Sequence, residues 1–372
     1  MHRILLKGDV LSPEGILYNH FLFCENGVIE EISSKYPRAK KKAKFFDTKK
    51  FFILPGFIDL HLHGDPILSA KYFSRFGTTV FLSTLPSIRK DSLIKRINAI
   101  KNLSLENKLP SRILGIHLEG PYINRKMAGA QNKRFIKEID LKEVKLLIKK
   151  SEGLIRIVSL APELDNSSAL IRLLVKNNIV PAFAHTDATL KQSIRAINQG
   201  MIFSTHTFNR MGILHHRAPG VLGAVLSDDR VFCEIILDGL HINPVLFKIL
   251  LRCKGVDKII LSTDSIRFED SIRASQKRDL ARCGVYRLEN GEIAGSNLTM
   301  IEAITNAIKY GNLSLKDAVS LATINPARLL GIDNKKGSLE TGKDADMVIA
   351  DKDLNVVMTI CEGRITYMRN DK

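Results

Sequence analysis

The stretch Leu54–Gly64, LPGFIDLHLHG, is the strongest guide to the fold in this 372-residue sequence. Ile53 to Leu60 is apolar, bounded by charge before it and Gly-Asp-Pro after it, and predicts a short buried strand. His61 and His63 follow at the strand end, where side chains two residues apart point to one face. Two imidazoles aimed at one point suit zinc or iron. The same short motif would also occur if the two histidines only made local hydrogen bonds or were exposed to solvent.

The middle of the chain repeats the strand pattern. Seven further short apolar runs follow, from TTVFLSTL and ILGIHLEG to VFCEIILDGL and KIILSTD, and most precede a segment with helical spacing such as SSALIRLLVKNN. Eight strand–helix units in about 280 residues are what a parallel (β/α)8 barrel requires. We therefore predict an α/β fold, with a TIM-like barrel over residues 54–335.

Both chain ends have a different pattern. Residues 1–53 and 336–372 contain short strand-like runs separated by turns such as Asn26-Gly27, with few helical signals. We expect the two ends to meet in one small β-sandwich domain beside the barrel.

Polar side chains recur at or just beyond the ends of the predicted barrel strands. In a barrel these strand ends share one face, which is where such enzymes build their active sites. Each side chain alone has an ordinary interpretation as a buried, backbone-bonded residue, but together they predict a metal site. The residues are His61, His63, His117, Glu119, His185, His206, Asp238, His241 and Asp264.

The composition narrows the function classes. A formal net charge of +17 allows nucleic-acid binding, but no basic stripe interleaved with aromatics accompanies it, so we favour a lysine-rich solvated surface. Five widely spaced cysteines without a CxxC pair argue against a disulfide framework or a zinc ribbon. The sequence lacks a long apolar run and a signal-peptide pattern, and we expect a cytoplasmic protein with neither nucleic acid nor membrane as partner.

Several longer motifs resemble the amidohydrolase superfamily and, within it, the branch of N-acetylglucosamine-6-phosphate deacetylases. They include PGFIDLHLHG, GIHLEGPYIN, AHTDAT, THTFNRM, RAPGVLGAVL, LSTDS, AGSNLTM and KGSLETGKDADMVIAD, spread over nearly the whole chain. LEGP together with GLH and AGSNLTM is the most specific set for the deacetylase branch. The resemblance implies a metal-dependent barrel with a small β-sandwich made from both chain ends, in agreement with the pattern described above.

The resemblance also assigns roles to residues. It implies that Glu119, His185 and His206 bind the main metal, and that His61 and His63 permit a second ion. The predicted fourth strand ends at Ser159 to Pro162 without the lysine of other branches, so Glu119 would take the bridging role. The remaining implied roles are catalysis and substrate binding. They fall on Asp264 as acid/base, His241 as the carbonyl-polarising residue, and Arg217, Asn209, Arg210 and Gln131 as substrate-binding residues.

The implied reaction is hydrolysis of the acetamide of N-acetylglucosamine 6-phosphate to glucosamine 6-phosphate and acetate. One or two ions per subunit, zinc or iron(II), would lower the pKa of bound water, and Asp264 would accept its proton. Arg217 would reach the phosphate from the neighbouring subunit of a homodimer. The alternative interpretation of Arg217 is a surface salt bridge.

Two departures from the deacetylase pattern affect the expected substrate. The segment after His63 is shortened and lacks the second glycine of the family, and Arg210 stands where the family usually has a small residue. Another N-acyl amino sugar such as N-acetylgalactosamine 6-phosphate, or a cyclic amide, therefore stays open as substrate. A non-enzymatic barrel scaffold fits less well, because every expected metal ligand is present.

Overall fold

The computed structural model describes residues 3–37, 43–106, 108–269, 284–288, 291 and 293–369. The chain begins with strands that belong to the domain formed by both chain ends. They are β1 (Arg3–Ser12), β2 (Gly15–Glu25), β3 (Val28–Ser33) and β4 (Lys44–Pro55). The first two pair antiparallel, whereas β4 lies parallel to β1.

An eight-stranded parallel sheet follows, in sequential order. Its strands are β5 (Phe57–His63), β6 (Thr78–Pro86), β7 (Arg112–Glu119), β8 (Ile155–Leu160), β9 (Val180–Phe183), β10 (Phe203–Ser204), β11 (Phe232–Ile236) and β12 (Ile259–Ser262). Just beyond β12 the sheet meets β5 again: Asp264 N donates to His61 O at 2.9 Å, and His63 N donates to Ser265 O at 3.0 Å. These bonds close the barrel and confirm the predicted fold class.

Helices connect the barrel strands and cover their outer side. They are α1 (Pro66–Phe73), α2 (Lys90–Glu106), α3 (Leu141–Ser151), α4 (Ser167–Lys176), α5 (Leu190–Asn198), α6 (Gly220–Ser227), α7 (Pro244–Lys254), α8 (Met300–Gly311), α9 (Leu315–Ser320) and α10 (Ile324–Leu329). Short 3₁₀ turns occur at Ser74–Phe76, Arg125–Met127, Lys133–Phe135 and Val256–Lys258. None of the described helices combines the length and apolar character that a membrane span needs.

The C-terminal strands complete the domain formed by both chain ends. After the hairpin of β13 (Val285–Arg287) and β14 (Ile293–Ser296), the chain forms β15 (Met347–Ala350), β16 (Val356–Cys361) and β17 (Arg364–Met368). These join the first strands in one seven-stranded sheet of order β17-β16-β15-β4-β1-β2-β3. The sheet encloses its own apolar core, which includes Leu6, Leu22, Ile53, Met347 and Ile360. The two ends therefore meet in one β domain, as predicted.

The first predicted strand is wrong in one detail. Instead of one strand over Ile53–Leu60, the chain forms β4 up to Pro55 and β5 from Phe57. Gly56 lies between the two strands, and its amide donates to Asp346 O at 2.8 Å. A side chain would not fit at this position, because a Cβ there would lie 2.3 Å from Thr79 Oγ1. The chain passes from the terminal sheet into the barrel at this glycine. The domain division at residues 53 and 336 stays a prediction.

The cysteines are unpaired where they are described. Cys24, Cys233 and Cys361 are buried and Cys253 is exposed, while Cys283 lies outside the described residues. Burial raises the pKa of Cys24 and of Cys233 to about 11 each. These thiols therefore behave as packing groups rather than nucleophiles.

Candidate active site

Two groups of side chains meet where the barrel strands end. One group is His61, His63 and Asp264, and the other is Glu119, His185 and His206. Within each group the potential ligand atoms lie within 4.8 Å of one another, and all six residues are largely buried. The barrel therefore brings together all five residues predicted as metal ligands, along with the predicted acid/base.

The end of β5 presents both histidines to one point. His61 Nε2 and His63 Nε2 lie 3.1 Å apart, and Asp264 Oδ1 lies 3.4 Å from the first and 3.2 Å from the second. Two ring nitrogens at this distance need a shared proton or cation between them. The two-residue spacing produces this geometry because both side chains stay on one face of the strand.

Glu119, the last residue of β7, lies between the two groups. Its Oε1 is 3.0 Å from His185 Nε2 and 3.1 Å from His206 Nε2. Its Oε2 is 3.4 Å from His63 Nε2. The carboxylate therefore faces imidazoles from both groups at once.

The backbone at the site is unusual. His185, His206 and Asp264 have φ values of 46°, 33° and 45°, in the left-handed region that non-glycine residues seldom adopt. Each residue lies just past the end of its short strand, where the chain turns to direct the side chain inward. Such strained residues cluster at functional sites because the surrounding structure holds them there.

Sequence reasoning missed two buried carboxylates that support the site. Glu234, in the centre of β11, is fully buried; its Oε1 lies 3.3 Å from His61 Nδ1, and its Oε2 accepts from the His206 amide at 3.0 Å. Asp59 accepts from the His61 amide at 3.1 Å and from Thr263 Oγ1 at 2.6 Å. An acidic residue inside an apolar strand, as in FCEII and FIDL, was the available signal.

The site holds opposite charges at close range. Burial alone would raise the pKa of Glu119, but hydrogen bonds from His185 and His206 outweigh it, and the pKa lies well below the usual range. Burial would likewise raise the pKa of Asp264, but His61 and His63 outweigh burial and lower that pKa to about 2. Burial lowers the pKa of His61, but the charges of Asp264 and Glu234 outweigh it and raise that pKa well above the usual value.

The donor set fits a divalent metal ion. Imidazole nitrogens and carboxylate oxygens converge from several strands, and these are the ligands of zinc and non-haem iron. The second nitrogens of His61 and His185 face a carboxylate and the Met127 carbonyl oxygen, the usual outer partners of metal-binding histidines. His117 differs, because it is held by Leu60 O and Ser159 Oγ, and burial lowers its pKa to about 3. We assign it a structural position.

A cavity of about 560 Å³ opens above this cluster. His241 lines it, with Nδ1 held 2.7 Å from Asp238 Oδ2. Gln131 also lines it, but its amide donates to Glu119 Oε2 at 2.6 Å and accepts from the Ser87 amide at 2.8 Å. The other predicted binding residues of the wall are Asn209 and Arg210.

Arg217 lies apart from this cavity. It is exposed on the loop before α6, beside the exposed Ile213 and Leu214, and does not line the cavity of its own chain. Within one subunit the structure therefore brings together every predicted site residue except Arg217, which was predicted to act on a neighbouring subunit.

Comparison with known proteins agrees with this geometry. The model of the amidohydrolase family matches residues 52–366. The chain is 33% identical to N-acetylglucosamine-6-phosphate deacetylase from Bacillus subtilis, over 99% of this chain and 98% of the relative. It is 29% identical to N-acetylgalactosamine-6-phosphate deacetylase from Escherichia coli O157:H7, over 98% and 99%.

A solved structure extends the comparison. An aspartate-to-alanine mutant of N-acetyl-D-glucosamine-6-phosphate deacetylase from Mycobacterium smegmatis, in complex with N-acetyl-D-glucosamine 6-phosphate, superposes with a TM-score of 0.87. That structure is 28% identical, and the match covers 99% of this chain and 100% of the other. The similarity therefore includes the β domain as well as the barrel.

Proposed function

The chain belongs to the amidohydrolase family and is a metal-dependent hydrolase, and from that premise we propose that it deacetylates N-acetylglucosamine 6-phosphate. The products are glucosamine 6-phosphate and acetate. The observation that carries the proposal is the Glu119-centred cluster of six converging ligand-type residues, five of which line a sugar-sized cavity. Relatives named for this reaction match nearly the full chain.

The cluster supplies the metal ligands in this proposal. Glu119, His185 and His206 would hold the main ion, and His61 and His63 would hold a second ion if one binds. A bound divalent cation lowers the pKa of a coordinated water and polarises the acetyl carbonyl. We propose zinc or iron(II), one or two ions per subunit, because both metals accept imidazole and carboxylate ligands.

Asp264 moves the proton. Its low pKa keeps the carboxylate charged at neutral pH, so it accepts a proton from the attacking water. The water oxygen then bonds to the acetyl carbon. As the carbon–nitrogen bond breaks, Asp264 returns the proton to the amino sugar nitrogen, and the acetyl group leaves as acetate.

His241 polarises the acetyl carbonyl in this mechanism. Asp238 Oδ2 faces His241 Nδ1 at 2.7 Å, and Asp238 Oδ1 accepts from the His241 amide at 2.8 Å. These contacts fix the orientation of the ring. When both ring nitrogens carry a proton, Nδ1 donates to Asp238 and Nε2 donates to the oxygen on which negative charge develops. Asp238 is the positioning residue for this contact.

Phosphate binding would use two subunits. Asn209 and Arg210 line the cavity, and the exposed Arg217 would reach the same phosphate from the partner of a homodimer. The guanidinium fork suits phosphate because it makes two parallel hydrogen bonds. A smaller cavity of about 420 Å³, lined by Lys126, Lys133 and Arg210, adds positive charge beside this end.

Two further features follow from the proposal. A phosphorylated sugar substrate and unpaired buried thiols fit a reducing compartment, so we propose a cytoplasmic location. We also propose that residues 54–335 form the catalytic domain and that residues 1–53 with 336–372 form the β domain.

Acetate release tests the proposal directly. The substrates are N-acetylglucosamine 6-phosphate, its galactosamine epimer and unphosphorylated N-acetylglucosamine, given to metal-stripped protein and to protein reloaded with zinc or iron(II). We expect metal-dependent release that requires the phosphate. Release from the galactosamine epimer alone would change the assigned sugar, and turnover of cyclic amides without release from any acetylated sugar would overturn the proposal.

A further inference from the structure

The cavity wall carries a pair of charged side chains that the proposed reaction does not use. Arg96 lies on α2 and Glu269 lies five residues after Asp264, and both line the cavity. Arg96 Nη2 is 3.7 Å from Glu269 Oε1, close enough for an ion pair but too long for a hydrogen bond. Glu269 Oε2 is buried without a hydrogen-bond partner in the described part of the chain.

The short connection after β5 brings Glu269 to the wall. Only Gly64 and Asp65 separate His63 from the start of α1, and the segment from Ser265 to Glu269 packs against them. Asp65 N donates to Phe268 O at 3.0 Å, and a Cβ on Gly64 would lie 2.4 Å from the Phe268 carbonyl carbon. The segment after β12 therefore takes the space beside the shortened connection.

A local turn then directs the carboxylate. The Glu269 amide donates to Ile266 O at 3.0 Å, and Ile266 itself lines the cavity. Oε2 is shielded from solvent, whereas the side chain of Glu269 as a whole is 13% exposed and lines the cavity, so a ligand there can contact it. The one charged neighbour of the carboxylate among the described residues, Arg96, lies too far away for a hydrogen bond, so a ligand hydroxyl that donates to the accessible part of the carboxylate adds a hydrogen bond to it.

The charge of the wall decides which part of a ligand fits there. A carboxylate repels phosphate and attracts hydroxyl donors. Arg210 and Gln131 are shared between the main cavity and the smaller basic one, whereas Glu269 and Arg96 line only the main cavity. The part of the wall that is shared with the smaller cavity is therefore basic, whereas the Glu269 part holds a carboxylate that is partly balanced by Arg96.

We propose that Glu269 is a specificity-determining residue, which accepts a hydrogen bond from a ring hydroxyl of the amino sugar. Arg96 holds the carboxylate from the other side, and the phosphate points towards Arg210. This inference rests on the proposed function for the identity of the sugar. It concerns this chain's own combination of a short connection after β5 and a carboxylate that fills the space.

A cycle of enzyme and substrate changes tests the contact. N-acetylglucosamine 6-phosphate and its analogues lacking one ring hydroxyl, at C1, C3 or C4, are compared on wild type, Glu269→Ala and Glu269→Gln. We expect Glu269→Ala to lower kcat/KM for the full substrate by about 10- to 100-fold. One deoxy analogue should show the same loss on the wild type and little further loss on the variant.

Controls separate this contact from a fold defect. Glu138 is an exposed carboxylate outside the cavity wall, and Glu138→Ala should leave every kcat/KM value unchanged. Glu269→Gln keeps the shape of the side chain, so it replaces Glu269→Ala in the comparison with the deoxy analogues if the alanine variant unfolds. Independent, additive losses for every deoxy analogue would overturn the inference.

The outcome for the proposed function is read separately. Wild-type protein that releases acetate while the cycle shows no coupling would refute the Glu269 contact alone. Wild-type protein that releases no acetate would refute the proposed function. In that case the same cycle is run on calorimetric binding of glucosamine 6-phosphate and its deoxy analogues, where equal affinities for wild type and Glu269→Ala would refute the contact too.

Discussion

Two buried clusters of charge show how differently this chain uses ionisable groups. In the β domain, Lys336 Nζ lies 2.7 Å from Asp344 Oδ2 and 2.6 Å from Asp346 Oδ2. At the barrel mouth, Glu119 and Asp264 face imidazole nitrogens that also face one another. The first cluster is a cation enclosed by anions, whereas the second is a set of ligands directed at common points.

The difference lies in how the charges are satisfied. Burial alone would lower the pKa of Lys336, but Asp346 and Asp344 outweigh it and raise it, so the ammonium is fully paired inside the fold. The barrel cluster has paired anions but leaves His206 Nδ1 without a partner among the described residues, and it holds three residues at strained φ. Converging ligand atoms and backbone strain therefore distinguish the barrel cluster from the fully paired cluster of the β domain.

The largest effect is expected from Asp264→Asn. An amide cannot accept the proton of the attacking water, so kcat should fall by roughly 10²- to 10⁴-fold with the fold intact. Acetate release with metal-loaded protein measures the change, and the melting temperature serves as the control. A variant that keeps near-wild-type kcat would show that another group moves the proton.

Lys336→Met probes the other cluster. Removal of the enclosed cation leaves the buried Asp346 and the partly exposed Asp344 without their counter-ion, so the free energy of unfolding should fall by about 3–5 kcal/mol. The kcat of the folded fraction should not change. Denaturant unfolding and acetate release measure the two effects, and a loss of kcat without a loss of stability would break the contrast between the clusters.

Glu234→Gln removes the charge behind His61 without changing the shape of the side chain. The affinity of metal-stripped protein for zinc should fall by about 10- to 100-fold, because outer carboxylates orient metal-binding histidines. Calorimetric titration measures it. Glu143→Gln is the matched control, since Glu143 is buried but pairs with Lys137 away from the site. Equal zinc affinities of wild type and Glu234→Gln would assign Glu234 a packing role.

Asp238→Asn removes the charge of a hydrogen-bonded carboxylate at the barrel mouth. Burial alone would raise the pKa of Asp238, but hydrogen bonds from His241 and two backbone amides lower it below the ordinary value of 3.8. Its contribution is therefore present above about pH 4 and is lost as the pH falls through the folded-state value. At pH 7 the variant should be less stable by about 1–2 kcal/mol.

The pH dependence provides the check on that variant. Urea unfolding at pH 7 and near pH 3 compares it with the wild type, and the gap between them should narrow in acid. A constant gap at both pH values would mean that shape or packing, rather than the charge of Asp238, accounts for the loss.

Much of the fold could be predicted from the alternation of short apolar runs with helical segments. The barrel, the β domain from both ends and the position of the ligand residues at strand ends are local or periodic features. The break at Gly56 could not be predicted, because it depends on Asp346 and Thr79, distant in sequence. The position of Glu234 behind His61 could not be predicted for the same reason. A single Glu in FCEII does not show which residues it contacts in the folded chain.

The sequence by itself determined the chemistry of this protein, because the histidines and carboxylates are read directly from strand-end motifs such as HLH and HLEGP. Only the tertiary structure decided the distances. Closure of the barrel places Glu119 between residues of β5, β9 and β10, and packing against Gly64 brings Glu269 to the cavity wall. Contacts between segments far apart in the chain depend on the fold as a whole, and no local pattern encodes them.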